Sequence, residues 1–308
     1  LHNHIIQFAP DVIYCIHEEG IRALHQSIIY RRLFAPGAKL LYFTMDVFPR
    51  VPIGGSLKRR LCSRALWRNV RWGTDGAVCH YPGIRRQLRR EGYQEPILMQ
   101  TQIGVNPELF RPNPDARRAI RNDLDLGGFV VGFVGRLTEA KGVNDLLAAL
   151  EQLPVQWSLL LVGDGELREN IRAWAADRRY EDRVRLIGRC PKTEVPGYMN
   201  AMDCLVLGSH TTERWIDTFP NVIPEAMCTK TPVIGSDSGA IPFQLGGQGM
   251  LFPEGDADEL RRCLLMLARS PERGREMGKN LRRRAVRRFS VDALNRDFHQ
   301  FLETHFSC

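Results

Sequence analysis

No apolar run in the 308 residues approaches the roughly 18–20 residues that a membrane-spanning helix needs. No C-x-x-C pair occurs either. The eight cysteines (Cys15, Cys62, Cys79, Cys190, Cys204, Cys228, Cys263 and Cys308) are scattered, and Cys15 and Cys204 sit inside apolar, strand-like runs. That usage predicts free thiols in a reducing compartment and offers no ligand spacing for zinc. Low-complexity tracts and internal periods are lacking, so disordered and solenoid architectures are excluded. A Walker A loop, G-x-x-x-x-G-K-[ST], is missing, which removes P-loop chemistry. No secretory leader is visible, and the chain opens on Leu1 rather than Met, as a fragment of a longer protein would. Lysine is scarce, at six of the 43 basic residues.

What remains is a composition of ordinary globular type, 44% hydrophobic and 25% charged, at a length that suits two domains. The net charge of +8 is unevenly placed: residues 1–125 hold 19 Lys and Arg against 11 Asp and Glu, and the remainder holds 24 of each. Apolar runs at 11–16, 39–44, 128–135, 157–163, 184–188, 203–209 and 232–237 read as buried parallel strands. Amphipathic stretches at 140–151, 165–179, 193–201 and 256–268 separate several of them. Such alternation predicts an α/β fold with doubly wound sheets and right-handed crossovers. The expected division is a partial N-terminal domain at 1–110, a Pro/Asn-rich and charged linker at 111–127, a second domain at 128–288, and a C-terminal helix at 289–308 with Ser290 as N-cap. The first part holds about four strands behind half a helix at 1–8, and reads as incomplete.

Three stretches carry chemistry. "GFVVGFVGRLTEAKGVNDLLAAL" (128–150) reads as strand, loop and helix, the helix beginning near Ala140–Lys141. Ligands of open α/β sheets bind at the carboxyl ends of strands, and Arg136 and Lys141, flanked by Gly135 and Gly142, fall there. Two cations beside a helix N-terminus suit a diphosphate, although solvated surface charges give the same pattern. "LLLVGDGELREN" (159–170) places Gly163 and Gly165 in a tight turn that permits close backbone approach; the third glycine of a dinucleotide fingerprint is replaced by Arg168. "DTFPNVIPEA" (217–226) sets Asp217 eight positions before Glu225. Pro220 interrupts any continuous helix, leaving Asp217 in a loop and Glu225 in a first helical turn. A loop acid can accept sugar hydroxyls, Glu225 can accept both hydroxyls of a ribose, and backbone N–H groups at 220–222 can meet phosphate. Solvated surface acids are the alternative.

Other charged patterns are weaker. "DLD" (123–125) and "DAD" (256–258) match the D-x-D of metal-dependent transferases, but the first lies in the linker and the second opens a helix, so both read as structural. His17, just after the first strand, can face an acceptor. The segment 56–73 carries Arg60, Arg64, Arg68 and Arg71 at helical spacing. It reads either as a half-buried helix with a solvated arginine face or as a helix lying on an anionic membrane surface. No accompanying signal supports nucleic acid.

The ordered series "GFVGRLTEAKGVNDLLAAL", "LLLVGDGEL", "VRLIGRCPKTEVPGYMNAMDCLVLGS", "DTFPNVIPEAMCTKTPVIGSDSGAIP" and "GMLFPEGDADEL" resembles the nucleotide-binding domain of family-4 retaining glycosyltransferases, which have the GT-B fold. "PDVIYCIHEE" and "GYQEPILMQTQIGVNPELF" look like the second half of that family's acceptor domain. The resemblance implies two Rossmann-like domains facing a cleft. It implies that Arg136 and Lys141 neutralise the donor diphosphate, that Asp217 holds the donor sugar and Glu225 the ribose. It further implies that the backbone of Phe219, Pro220, Asn221 and Val222 faces phosphate and sugar, and that the backbone around Gly188 and Cys190 reads the nucleobase. No metal and no cofactor are expected; a UDP- or GDP-sugar is the donor substrate and a glycan or lipid-linked molecule the acceptor. The chain departs from the family pattern in having Asp217 for Glu, Met45 for the usual histidine, and Phe243 for an acid after "GAIP".

The reading that follows is a metal-independent retaining hexosyltransferase of polysaccharide or glycoconjugate synthesis, cytoplasmic; for the basic helix 56–72 the half-buried, solvated reading is favoured, and peripheral contact with the inner face of the membrane is the alternative. A non-catalytic nucleotide-binding fragment and a nucleotide-sugar epimerase of the same fold are the alternatives.

Overall fold

The computed structural model describes residues 9–16, 21–45, 68–212 and 215–306. The chain divides into one unit formed by Leu1–Gln102 with Leu294–Cys308, and a second formed by Ile103–Ala293.

In the first unit, β1 (Val12–Ile16), β2 (Lys39–Thr44), β3 (Gly76–Cys79) and β4 (Ile97–Met99) form one parallel sheet in the order β1-β2-β3-β4. Helices α1 (Ile21–Phe34) and α2 (Pro82–Arg90) are its described crossovers, and residues 68–73 are also helical. β3 and β4 are too short, at four and three residues, to stand out as hydrophobic runs. Asp75 fixes the entry to β3: its Oδ2 accepts from the Leu40 N–H at 2.8 Å and pairs with Arg31. The helix α11 (Val291–Phe306) starts under a Ser290 cap, the Ser290 Oγ accepting from the Ala293 N–H at 3.1 Å. Its Phe298 ring packs 5.6 Å from that of Tyr14. His17, the half helix expected at 1–8 and residues 56–67 of the basic segment lie outside the described residues.

The second unit is built on a six-stranded parallel sheet: β5 (Phe129–Val134), β6 (Trp157–Val162), β7 (Val184–Gly188), β8 (Cys204–Leu207), β9 (Val233–Ser236) and β10 (Met250–Phe252). The order is β10-β9-β8-β5-β6-β7. β6, β8 and β9 are buried along their whole length, as strands covered by helices on both faces must be. The chain runs outward from β5 through β6 and β7, then returns to the other side of β5 with β8. The carboxyl ends of β5 and β8 therefore flank a topological switch point, where open α/β sheets bind ligands.

The stretch expected as a linker, 111–127, is structured within this unit. It carries α3 (Pro114–Asp123), capped by the Asn113 side chain accepting from the Ala116 N–H at 3.0 Å. None of its residues is fully buried, which is why its pattern reads as a charged linker. It is held instead by Arg117 and Arg121, which reach Asp203 Oδ1 and Oδ2 at 2.6 and 2.7 Å. The same Oδ2 accepts from the Val130 N–H at 2.8 Å, so one carboxylate aligns α3 with the start of β5. The remaining helices are α4 (Val143–Glu151), α5 (Arg168–Asp177), α6 (Val195–Ala201), α7 (Val222–Cys228), α8 (Ile241–Leu245), α9 (Ala257–Arg269) and α10 (Pro271–Arg288). Asp256 of "DAD" is the N-cap of α9, accepting from the Glu259 N–H at 2.8 Å.

Candidate active site

At the end of β5 the chain turns through Gly135 and Arg136 into a single 3₁₀ turn, Glu139–Lys141, and only then into α4. The helix thus begins at Val143, later than expected, because Gly142 (φ +70°) interposes a left-handed residue. That glycine is required by packing: a Cβ on it would lie 1.9 Å from the Gly208 carbonyl oxygen. The loops after β5 and β8 are pressed together here, and the His210 N–H donates to the Ala140 carbonyl at 2.9 Å.

This contact brings Lys141 and Asp217 together across 76 residues of chain. Lys141 Nζ lies 2.5 Å from Asp217 Oδ2, with both side chains largely buried. The Ser209 hydroxyl donates to the same oxygen at 2.7 Å, and the Lys141 ammonium stands 4.7 Å from the centre of the Trp215 ring. Asp217 is braced from behind, since its carbonyl accepts from the Ala240 N–H at 2.9 Å. Arg136 is exposed and, among the described residues, its side chain has no ion-pair or hydrogen-bond partner. The structure thus joins one cation of the pair to an acid and leaves the other open to solvent.

Glu225 sits in the first turn of α7 and has a lysine of its own, Lys192 Nζ at 3.1 Å. Burial pushes the Glu225 carboxyl above its ordinary range, and the Lys192 charge offsets part of that rise. Pro224 is accommodated in the same first turn. The two acids are therefore placed as expected, one in a loop and one in a helix, and each is matched by a lysine.

One expectation about 219–222 changes. Proline has no N–H, so of 220–222 only Asn221 and Val222 can donate; among the described residues neither N–H makes a hydrogen bond. The Phe219 side chain is turned into the core, its ring 5.6 Å from that of Phe289, so only its backbone can face a ligand. The glycines at the strand ends act by close approach rather than by donating. The Gly163 N–H is spent on the Gly188 carbonyl at 2.8 Å, and that of Gly165 on Asp164 Oδ1 at 2.9 Å. Gly188 (φ +82°) turns the chain toward Cys190, a half-buried free thiol beyond β7. Burial, then the charge of Glu194, pushes that thiol up. The other described cysteines (Cys15, Cys79, Cys204, Cys228 and Cys263) are free and buried.

Sequence reasoning passed over Lys192, Ser209, Trp215 and a second network beside them. His210 Nε2 meets Asp145 Oδ2 at 2.5 Å, and Glu254 accepts from the Thr211 N–H and hydroxyl, both at 2.6 Å. Burial alone would raise the Glu254 carboxyl, but the hydrogen bonds from Thr211 and Ser238 and the charge of His210 hold it below its usual range. This network fastens the loop after β8 to α4 and to the end of β10. For Lys192 a signal was present, because lysine scarcity singles it out as well as Lys141.

Residues 117–284, more than half of the chain, match the family described as glycosyl transferases group 1. The chain belongs to this family. Among curated relatives it is similar to the amylovoran biosynthesis glycosyltransferase AmsK of Erwinia amylovora, 32% identical over 54% of this chain and 41% of the relative. It is also similar to the lipopolysaccharide core biosynthesis glycosyltransferase LpsE of Rhizobium meliloti, 27% identical over 74% of this chain and 64% of the relative. The chain thus spans about two fifths to two thirds of these relatives' length. In fold it is similar to Anabaena Alr3699/HepE, solved in complex with UDP, with a TM-score of 0.79 at 23% identity over 98% of this chain and 82% of that one. The expected α/β fold of two Rossmann-like units, GT-B in class, is shared with these solved glycosyltransferase neighbours. Within the family's matched region lie Arg136, Lys141, Lys192, Asp217 and Glu225 together.

Proposed function

We propose that this chain carries the donor site of a retaining, metal-independent glycosyltransferase, which moves a sugar from a nucleoside diphosphate sugar to a glycan or lipid-linked acceptor. The observation that carries this reading is the meeting of Lys141 and Asp217 at the switch point, beside the solvent-facing Arg136. Lys141 and Arg136 offer positive charge where a departing diphosphate develops negative charge, the electrostatic stabilisation that acyl- and phosphoryl-transfer sites also use. Among the described residues Asp217 Oδ1 makes no hydrogen bond, and it can accept from a sugar hydroxyl. Glu225, in the first turn of α7, is the acceptor for the ribose hydroxyls. Retention is assigned to attack on the same face of the sugar, with no protein nucleophile.

Support for the acceptor class comes from the relatives, which are named for the biosynthesis of amylovoran and of lipopolysaccharide core. The UDP complex of HepE makes uracil the first base to test. A peripheral contact with the cytoplasmic face of a membrane, through the basic segment 56–72, belongs to the same reading, and liposome sedimentation of Arg68 variants tests it.

Calorimetric titration with UDP, GDP, UDP-glucose and GDP-mannose tests the donor site. One nucleotide series is expected to bind. Arg136→Ala is expected to weaken it at least about tenfold, as loss of a charge-assisted contact does, with no change in Tm. If no nucleotide binds, the reading falls; if nucleotide binds but no sugar is transferred or released, the chain is a nucleotide-binding module.

A further inference from the structure

Lys141 has two claimants. A diphosphate needs its charge, and the structure already gives that charge to Asp217 in a close, largely buried pair. The pair is not a loose surface contact. Ser209 donates to the same carboxylate oxygen at 2.7 Å, and Trp215 supports the ammonium from its ring face. The backbone of Asp217 is also tied down through Ala240 and through the close approach of Gly239, where a Cβ would lie 2.2 Å from the Asp217 carbonyl oxygen. Asp217 therefore cannot swing far from Lys141, and a phosphate brought to Lys141 meets the carboxylate as a like charge.

We propose that Asp217 is the internal counter-ion of Lys141 and competes with the nucleoside diphosphate for it, so that the site discriminates between the sugar-bearing donor and the free diphosphate. This rests on the donor-site reading above. A nucleoside diphosphate must share Lys141 with a carboxylate that gains nothing in exchange. A nucleoside diphosphate sugar brings hydroxyl donors that re-satisfy the carboxylate as Lys141 turns to phosphate. After transfer the sugar hydroxyls leave, Asp217 reclaims Lys141, and the diphosphate product is loosened. Ser209 and Trp215 are positioning residues in this scheme: the first holds the carboxylate, the second holds the ammonium in reach of both partners. A ligand can shift a site between two arrangements only by its differential affinity for them, and here the sugar hydroxyls supply that difference.

The test compares the two members of each donor pair, UDP with UDP-glucose and GDP with GDP-mannose, on wild type, Asp217→Asn and Ser209→Ala. Removal of the competing charge by Asp217→Asn is expected to tighten the free diphosphate by roughly tenfold, as removal of a close like charge does, and to weaken the sugar-bearing donor. Ser209→Ala is expected to tighten the diphosphate about twofold, the size of one weakened hydrogen bond. Unchanged or weaker diphosphate binding in Asp217→Asn would overturn the competition, even with wild type binding nucleotide normally. Should Asp217→Asn fail to fold, unchanged diphosphate affinity in Ser209→Ala overturns it instead. Absence of nucleotide binding by wild type is a different result, because it removes the donor-site reading itself.

Discussion

At the scale of single residues, the two acids of D-x7-E are distinguished by what surrounds them rather than by their type. Asp217 is held against Lys141 at 2.5 Å, whereas Glu225 faces a lysine that is largely exposed and only partly offsets its burial. The raised Glu225 pKa has a stability consequence whose sign is definite. A carboxyl that binds its proton more tightly in the folded state contributes stability below its ordinary pKa of 4.5 and loses it as pH rises through the raised value. Glu225→Gln removes that loss. We expect the variant to melt higher than wild type at neutral pH, with the difference vanishing toward pH 4. Nucleoside diphosphate affinity is expected to fall about tenfold through loss of a charged hydrogen-bond acceptor. Melting curves of the two proteins that run parallel from pH 4 to 8 would contradict the burial argument. Such a functional residue is kept at the expense of stability, which agrees with a binding role for it.

At the scale of elements, the site exists because two loops approach closely at the ends of β5 and β8. Gly142 and Gly208 make that approach possible, and the sequence shows only two glycines 66 positions apart. Gly142→Ala combines a left-handed φ with a Cβ driven into the Gly208 carbonyl. Gly247 has a similar φ (+73°) but nothing within 4 Å of its Cβ position. Gly142→Ala is therefore expected to destabilise by about 2–4 kcal/mol and to weaken nucleotide binding. Gly247→Ala is expected to show the strain alone, about 1 kcal/mol, with binding unchanged. Chemical denaturation of the two variants separates steric overlap from backbone strain; equal losses would show that the loops can part without harm. The late start of α4 belongs to this scale too. Periodicity locates an amphipathic helix well but not its first residue, because the left-handed turn at Gly142 is set by the neighbouring loop.

At the scale of the molecule, charge and pH act through unit 1 differently from unit 2. His80, at the end of β3, is buried and packs edge-on to Phe43 at 5.0 Å. Burial lowers its pKa to about 4 from the ordinary 6.5. A depressed pKa contributes stability that is complete above pH 6.5 and is lost as pH falls toward 4, because the unfolded chain takes the proton first. The loss is on the order of 3 kcal/mol at pH 4. His80→Leu is expected to abolish that part of the acid sensitivity, read as a smaller change in urea midpoint between pH 7 and pH 5 than wild type shows. An identical change in both proteins would place the acid sensitivity elsewhere.

The alternation of strands and helices, the parallel sheets, the cations after β5 and the split of Asp217 from Glu225 by Pro220 were legible in the sequence. They depend on hydrophobic period and on local backbone chemistry, which act over a few residues. Short strands such as β3, β4 and β10 escaped because three or four apolar residues carry no period, and α3 escaped because ionic contacts, not an apolar stripe, hold it. Only the tertiary structure decided which charge answers which: Lys141 to Asp217, Lys192 to Glu225, Arg117 and Arg121 to Asp203. Those pairings span between 33 and 86 residues of chain, and nothing in a local pattern specifies them. The two lysine pairings follow from a parallel topology that brings the carboxyl ends of β5, β7 and β8 to one edge of the sheet, and the Asp203 pairing forms at the opposite edge, by the starts of β5 and β8; at either edge a few ångströms determine whether two charges meet.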